Sequence, residues 1–376
     1  MLSDFVRHDT EGTFSRKTSM WYRLHIDPWL LLGLFVLAVV GLIVLFSASG
    51  GDFGTVIRQG IRLLVGFVGM LIIAQFDPRV FQQWGGVAFV FGLGLLVAVL
   101  VMGAGAKGAQ RWLEIPGLFR FQPSELMKLA LPIMMSWYIS RYGVPPRFKH
   151  IAGSAIILFL PVILILQQPD LGTSLLIAAS GIFVIFLAGL SWKIIASLAV
   201  VALGSLPAMW LFVMRDYQKQ RVLTFLNPES DPLGSGWNII QSKTAIGSGG
   251  LQGKGFMEGT QSQLDFLPES HTDFIIAVLS EELGFVGVLG LMCVYAFIIY
   301  RCMVISLNGR DNFTRLLAGS LSLTFFIYIF VNIGMVSGLL PVVGVPLPLV
   351  SYGGTSIVTL LASFGILMSI STHQHK

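Results

Sequence analysis

Runs of about 18 or more mainly apolar residues recur along this chain, each long enough to cross a hydrocarbon core about 30 Å thick. Inside such a core water cannot satisfy backbone amides, so every crossing segment must be a helix or part of a closed barrel. The runs are continuously apolar and not alternating, which argues against an outer-membrane barrel. What remains is an all-α, polytopic integral membrane protein. Ten spans are expected, at about 29–48, 58–76, 86–103, 124–142, 150–167, 171–189, 192–214, 284–302, 314–337 and 349–371. They consume 376 residues that would otherwise allow two or three soluble domains. Only 11% of the residues are charged, against about 25% in a soluble domain.

The expected organisation is an N-terminal tail (1–27), a membrane domain (28–372) with a large outer loop at 215–272 between the seventh and eighth spans, and a short C-terminal tail (373–376). The first tail contains no short apolar core followed by a small-residue cleavage site, so no signal peptide is expected. An even number of spans puts both termini on one side. Arg7, Arg16, Lys17, Arg23, Arg79, Arg141, Arg147, Lys149, Lys193, Arg301, Arg310, Arg315 and Lys376 fall on that side and mark it as cytoplasmic. The net charge of +5 suits loops that face anionic lipid. Because the basic residues are scattered between spans, no nucleic-acid partner is expected. The outer side nevertheless carries Lys107, Arg111 and Arg120 in a short loop, and Arg215, Lys219, Arg221, Lys243 and Lys254 in the long one. A long loop can translocate whatever its charge. For the short loop an anionic ligand bound outside is the sharper explanation.

Within the long loop "GWNIIQSKTAIGSGG" has helical spacing and predicts a short helix on the membrane surface, with Ser235 as a cap. The uncharged, proline-rich "PVVGVPLPLVSYGGTS" predicts an irregular segment held against the bundle. The stretch "GSGGLQGKGFMEG" invites a phosphate-loop reading and fails it. Ser248 stands at the first glycine position, and Gly255 follows Lys254 where Ser or Thr is required. Its glycines are expected to serve tight turns. Cys293 and Cys302 fall on one helix about 13 Å apart, too far for a disulfide, and no metal-ligand pattern includes them.

Ionisable groups at membrane depth are expensive and so mark functional positions. Glu125 and Lys128, in "RFQPSELMKLALP", lie three residues apart at the start of a span and form either a local ion pair or part of a site. Asp170, in "QQPDLGTS", suits a helix cap, and Asn332 an interhelical hydrogen bond. Asp273, in "PESHTDFIIAVLSEELG", stands at the start of a helix, where the dipole favours a carboxylate. It is a cap or a functional acid. His271 beside it is a proton partner or an interfacial histidine. The residues alone support an outer-facing polar site that binds something anionic.

The stretches "GAQRWLEIPGLFRFQPSELMK", "QPDLGTS", "YQKQRVLTFLNPESDPLGSGWNIIQSKTAIGSGGLQGKG", "GTQSQLDFLPESHTDFIIAVLSEELG" and "GLLPVVGVPLPLVSYGGTS" resemble the SEDS family of cell-wall proteins, over nearly all of residues 28–372. The resemblance implies a ten-span peptidoglycan glycosyltransferase of the bacterial inner membrane, serving cell-wall elongation. It would polymerise lipid II into β-1,4 glycan strands with inversion and release undecaprenyl pyrophosphate. Asp273 matches the family's critical aspartate, Glu125 and Lys128 its polar pair, and Arg111 and Arg120 its loop arginines.

An inverting transfer needs a base opposite the leaving group and positive charge where pyrophosphate charge develops. Asp273 is the expected base. Arg111, Arg120, Glu125, Lys128, Arg215, Lys219, Arg221, Lys243 and His271 are the expected substrate contacts. A divalent cation, Mg or Mn, is expected to arrive on the pyrophosphate, with no organic cofactor and no dedicated metal motif. Expected partners are lipid II, a class B penicillin-binding protein, other membrane proteins of the rod complex, and membrane lipid. A lipid II flippase and a non-catalytic scaffold are the alternatives. A catalytic base in an outer cavity would favour the enzyme, and a charged path open alternately to both sides the flippase.

Overall fold

Short-range chemistry starts the helices. In a computed structural model, Asp27, Asp52 and Asp77 accept the first free amides of helices α1 (Pro28–Ala48), α2 (Phe53–Ala74) and α3 (Pro78–Met102). Pro28 and Pro78 sit at first-turn positions where no amide is needed. The structure describes residues 24–373, apart from 107–108, 116–118, 191–195, 198–199, 202–203, 206, 232–234, 264–266 and 268. The two tails therefore lie mainly outside the described residues, and most of the span expected at 192–214 is interrupted by undescribed positions.

After α3 come three short antiparallel strands, β1 (Ala104–Ala106), β2 (Ala109–Ile115) and β3 (Phe119–Phe121). No strand was expected there. Helices α4 (Pro123–Tyr142), α5 (Phe148–Gln167) and α6 (Leu171–Leu187) follow, the last capped by Asp170 through Thr173 N at 3.2 Å. The long loop contains α7 (Asp216–Leu226), α8 (Ser235–Gly249) and α9 (Thr260–Gln263). The chain closes with α10 (Ile275–Leu307), α11 (Asn312–Val336) and α12 (Thr355–Thr372).

Among the described residues seven helices are long and apolar enough to cross a membrane, and α6 is a shorter apolar one. The twenty residues of α4 are long enough, but buried Glu125, half-buried Lys128 and exposed Arg141 lower its apolar character. The chain is a multi-pass, all-α membrane protein with one small sheet. One core is built from α1, α2 and α10–α12, and a second from α3–α6. Helix α11 packs against both halves and is buried along most of its length. At the end opposite the long loop, Arg301 pairs with buried Asp27 at 2.7 Å, and Ser371 donates to the same carboxylate.

Two expectations about the loop resolve through packing. The helix predicted in "GWNIIQSKTAIGSGG" is α8, docked on α10 and α11. Its Ile239, Ser242 and Ala245 are buried, and Ser242 Oγ donates to Val336 O. The Ser235 side chain lies outside the described residues. The eighth span begins earlier than expected, at Ile275, and is broken by Gly284, whose φ is 65° and ψ −163°. Residues 275–282 are buried, including Glu281 and Glu282.

The glycine-rich loop supplies what the break removes. Phe285 N and Val286 N donate to Gly250 O and Leu251 O, while Lys254 N and Gly255 N donate to Glu281 O and Glu282 O. A Cβ on Gly253 would stand 2.1 Å from Glu282 O, and one on Gly284 2.3 Å from Gly253 N. These glycines permit backbone-to-backbone contact. The Gly253 and Gly255 amides are spent on protein carbonyls, Gly249 O and Glu282 O.

Candidate functional site

The irregular segment at 337–354 does form without a helix, between α11 and α12, and it grips the chain ahead of α10. Tyr352 N donates to His271 O at 2.9 Å, Ser351 Oγ to Thr272 O at 2.5 Å, and Asn332 Nδ2 to Asp273 O at 2.9 Å. Three consecutive carbonyls are thus held. The N-cap of α10 is Phe274, so Asp273 lies one residue outside the cap, where its carboxylate still feels the helix dipole.

The Asp273 side chain lines a polar cavity of about 370 Å3. Arg111 and Trp112 of β2, Glu125 and Lys128 of α4, Asp170 and Thr173 at the start of α6, Glu269, Tyr328 and residues 344–346 and 352–356 line it too. At its floor Lys128 Nζ lies 2.7 Å from Glu125 Oε1, and Thr359 Oγ1 donates to Oε2 at 3.1 Å. The Tyr328 ring centroid is 5.4 Å from the same ammonium. Beneath this floor is a smaller, mostly apolar chamber lined by Leu129, Leu321, Phe325, Leu347 and Leu349.

On the opposite wall Arg111 Nε lies 3.7 Å from Asp170, its Nη2 donates to Pro169 O, and Gln122 Nε2 donates to Asp170 at 3.2 Å. Asp170 is therefore both cap and cavity wall. Among the described residues the cavity holds four carboxylates, Glu125, Asp170, Glu269 and Asp273, against two cations, Arg111 and Lys128.

The other predicted contacts are placed elsewhere. Arg221 Nη1 donates to Val342 O on the back of the irregular segment. Lys243 is exposed beside Gly338. Arg215 is exposed at the start of α7, and Lys219 is half-buried one turn on; neither lines the cavity. His271 packs edge-on against Tyr352, with 6.0 Å between centroids. The Arg120 side chain lies outside the described residues.

Sequence reasoning passed over Gln59, Arg62 and Tyr352. Gln59, buried on α2, donates to Ser351 O and accepts from Gly353 N. Arg62 donates to Gly353 O and lies 4.5 Å above the Tyr352 ring. The available signal was a run of polar residues inside an apolar span, "RQGIR", which no lipid-facing helix tolerates cheaply. No group of three or more metal-ligating side chains occurs among the described residues.

Comparison with known proteins places this arrangement. Residues 26–376 match the FtsW/RodA/SpoVE family, described as cell cycle protein. The chain is 52% identical over 358 residues to peptidoglycan glycosyltransferase MrdB of Escherichia coli K12, covering 95% of this chain and 96% of that protein. It is 39% identical to a probable peptidoglycan glycosyltransferase FtsW of Trichlorobacter lovleyi, covering 92% of this chain and 93% of the relative. A solved chain from a peptidoglycan synthase complex that coordinates polymerization and crosslinking superposes with a TM-score of 0.82 at 30% identity, covering 93% of this chain and 98% of that one. The rod shape determining protein RodA of Thermus thermophilus superposes with 0.70 at 27% identity, with the same coverage. The chain belongs to the FtsW/RodA/SpoVE family, the one its sequence motifs resemble.

Proposed function

We propose that this protein is a peptidoglycan glycosyltransferase that polymerises lipid II, with Asp273 as the general base. The observation that carries the reading is a carboxylate with a fixed backbone, set in a polar cavity of about 370 Å3 with Arg111 and Lys128. That volume lies in the usual range for small-ligand sites, about 300–1,000 Å3, and suits sugar and pyrophosphate while the lipid tail stays in the membrane. The 4-hydroxyl of the acceptor N-acetylglucosamine gives its proton to Asp273 as its oxygen bonds to the anomeric carbon of the donor N-acetylmuramic acid. The bond from that carbon to the phosphate oxygen breaks, and undecaprenyl pyrophosphate leaves with the electron pair. Attack opposite the leaving group inverts the centre and gives the β-1,4 link. Arg111 and Lys128 stabilise the charge that develops on the pyrophosphate.

The excess of carboxylates over cations in the cavity fits a divalent cation carried by the pyrophosphate, which Glu269 would help hold and which would neutralise leaving-group charge. The Glu125–Lys128 floor and the apolar chamber below it oppose the flippase alternative, which needs a polar path onward. The partner we infer is a class B penicillin-binding protein, supported by the likeness to a chain of a polymerising and crosslinking complex. We place the chain in the inner membrane, both termini cytoplasmic and residues 215–272 periplasmic.

The test is polymerisation of lipid II by the purified protein, alone and with the transpeptidase. Asp273→Asn keeps size and loses basicity, so the expected result is a folded, lipid II-binding protein with a rate about 10²–10⁴-fold lower. Glycan synthesis near the wild-type rate by this variant would remove the base assignment. No synthesis by the wild type under either condition would remove the enzymatic reading.

A further inference from the structure

The geometry points to Asn332 as the positioning residue that sets where Asp273 stands over the Glu125–Lys128 pair. This rests on the proposal that Asp273 is the base. Asn332 is wholly buried on α11. Its Nδ2 donates to two main-chain carbonyls of different segments, Asp273 O at 2.9 Å and Val345 O at 2.7 Å. Both acceptors belong to residues that line the cavity. Because two carbonyls require a donor, the orientation of the amide follows from its partners.

Its Oδ1 is buried with no hydrogen-bond partner among the described residues. Neither acceptor lies in a helix, so the amide is poorly explained as helix-to-helix glue. It is well explained as a bracket. Tyr328 lies four residues earlier, on the same face of α11, and its ring meets Lys128. Four residues of one helix, about 6 Å of rise, thus separate the group that meets the floor pair from the group that holds the Asp273 backbone. Ser351 and Tyr352 secure Thr272 and His271, and Asn332 joins Asp273 itself to α11. A base displaced by about 1 Å loses much of its efficiency, and Asn332 acts on the reaction through that displacement.

The experiment compares Asn332→Leu with the wild type for lipid II polymerisation, lipid II binding and thermal midpoint. The expected result is a kcat about tenfold or more lower, with KM and binding within about threefold and an altered pH profile of kcat. A wild-type kcat and pH profile overturns the proposal. So does a parallel loss of binding and activity in a folded protein, which would make Asn332 a general structural support. If Asn332→Leu does not fold, Asn332→Asp carries the test, because it keeps the size and donates only when protonated. Its kcat should fall with rising pH relative to the wild type, and a parallel profile overturns the assignment. Asp273→Asn in the same assay separates the two readings. If that variant polymerises normally the base assignment fails. If it is inactive while Asn332→Leu is normal, only the positioning assignment fails.

Discussion

Replacing Lys128 with methionine and replacing Glu125 with glutamine should each destabilise the fold, and replacing both should cost less than the two together. The pair is 2.7 Å apart, with side chains 13% and 7% exposed. Removing one member of a buried pair strands the other, at about 3–5 kcal/mol. In Lys128→Met the stranded carboxylate keeps Thr359 as a donor and borders the cavity, which favours the lower end, about 3 kcal/mol. In Glu125→Gln the stranded ammonium keeps the Tyr328 ring at 5.4 Å, a contact that offsets about 1 kcal/mol. The double variant leaves no unpaired charge, so it should recover about 2–3 kcal/mol relative to the sum of the single effects. The assay is thermal unfolding of the four purified proteins in one detergent. At about 2 °C per kcal/mol for a large chain, Lys128→Met should melt about 6 °C below wild type. Additivity within about 0.5 kcal/mol would refute the claim that the pair is a unit, and all three variants should polymerise poorly because both groups line the cavity.

Three further outcomes are expected. Gly253→Ala forces a Cβ to 2.1 Å from Glu282 O at a φ of 80° and should destabilise by about 2–4 kcal/mol. Gly60→Ala, with nothing within 4 Å, should stabilise α2 by up to about 1 kcal/mol; equal melting of the two variants would contradict the docking of the loop on the Gly284 break. Burial pushes the Tyr352 phenol up, but hydrogen bonds from Arg58 and Arg62, with their charges, outweigh it and leave its pKa below the usual 10.0. Such a group stabilises the fold when ionised, and that contribution is lost as pH falls through the folded pKa. The wild type should therefore gain thermal midpoint over Tyr352→Phe as pH rises towards 10, and a pH-independent difference would count against the Arg58 and Arg62 contacts. In a Cys293→Ser background, cysteines at exposed Gln220 and Glu258 should react with an impermeant thiol reagent in intact spheroplasts; labelling only after lysis would invert the topology.

What could be read from the chain itself was whatever depends on neighbours along it. Apolar length fixed the class and most of the spans, because a bilayer tests each segment separately. Asp27, Asp52, Asp77 and Asp170 cap helices through amides two or three residues away, and Glu125 and Lys128 meet within one helical turn. Asp273 stood out because a carboxylate beside an apolar run is costly wherever the fold puts it.

The site itself was decided by contacts between segments far apart in sequence. The cations expected at the site carry the same formal charge, yet folding brings Arg111 and Lys128 to the cavity, turns Arg221 onto the back of the irregular segment and leaves Arg215 and Lys243 exposed. The strands β1, β2 and β3 pair with one another, and the glycines at 249–255 find their purpose against a helix break about thirty residues on. Asn332 reads alike as glue or bracket until its two acceptors, Asp273 and Val345, are in place. Charge and hydropathy belong to single residues, whereas a hydrogen bond needs a distance and a direction, and across more than one turn of chain only tertiary packing sets those.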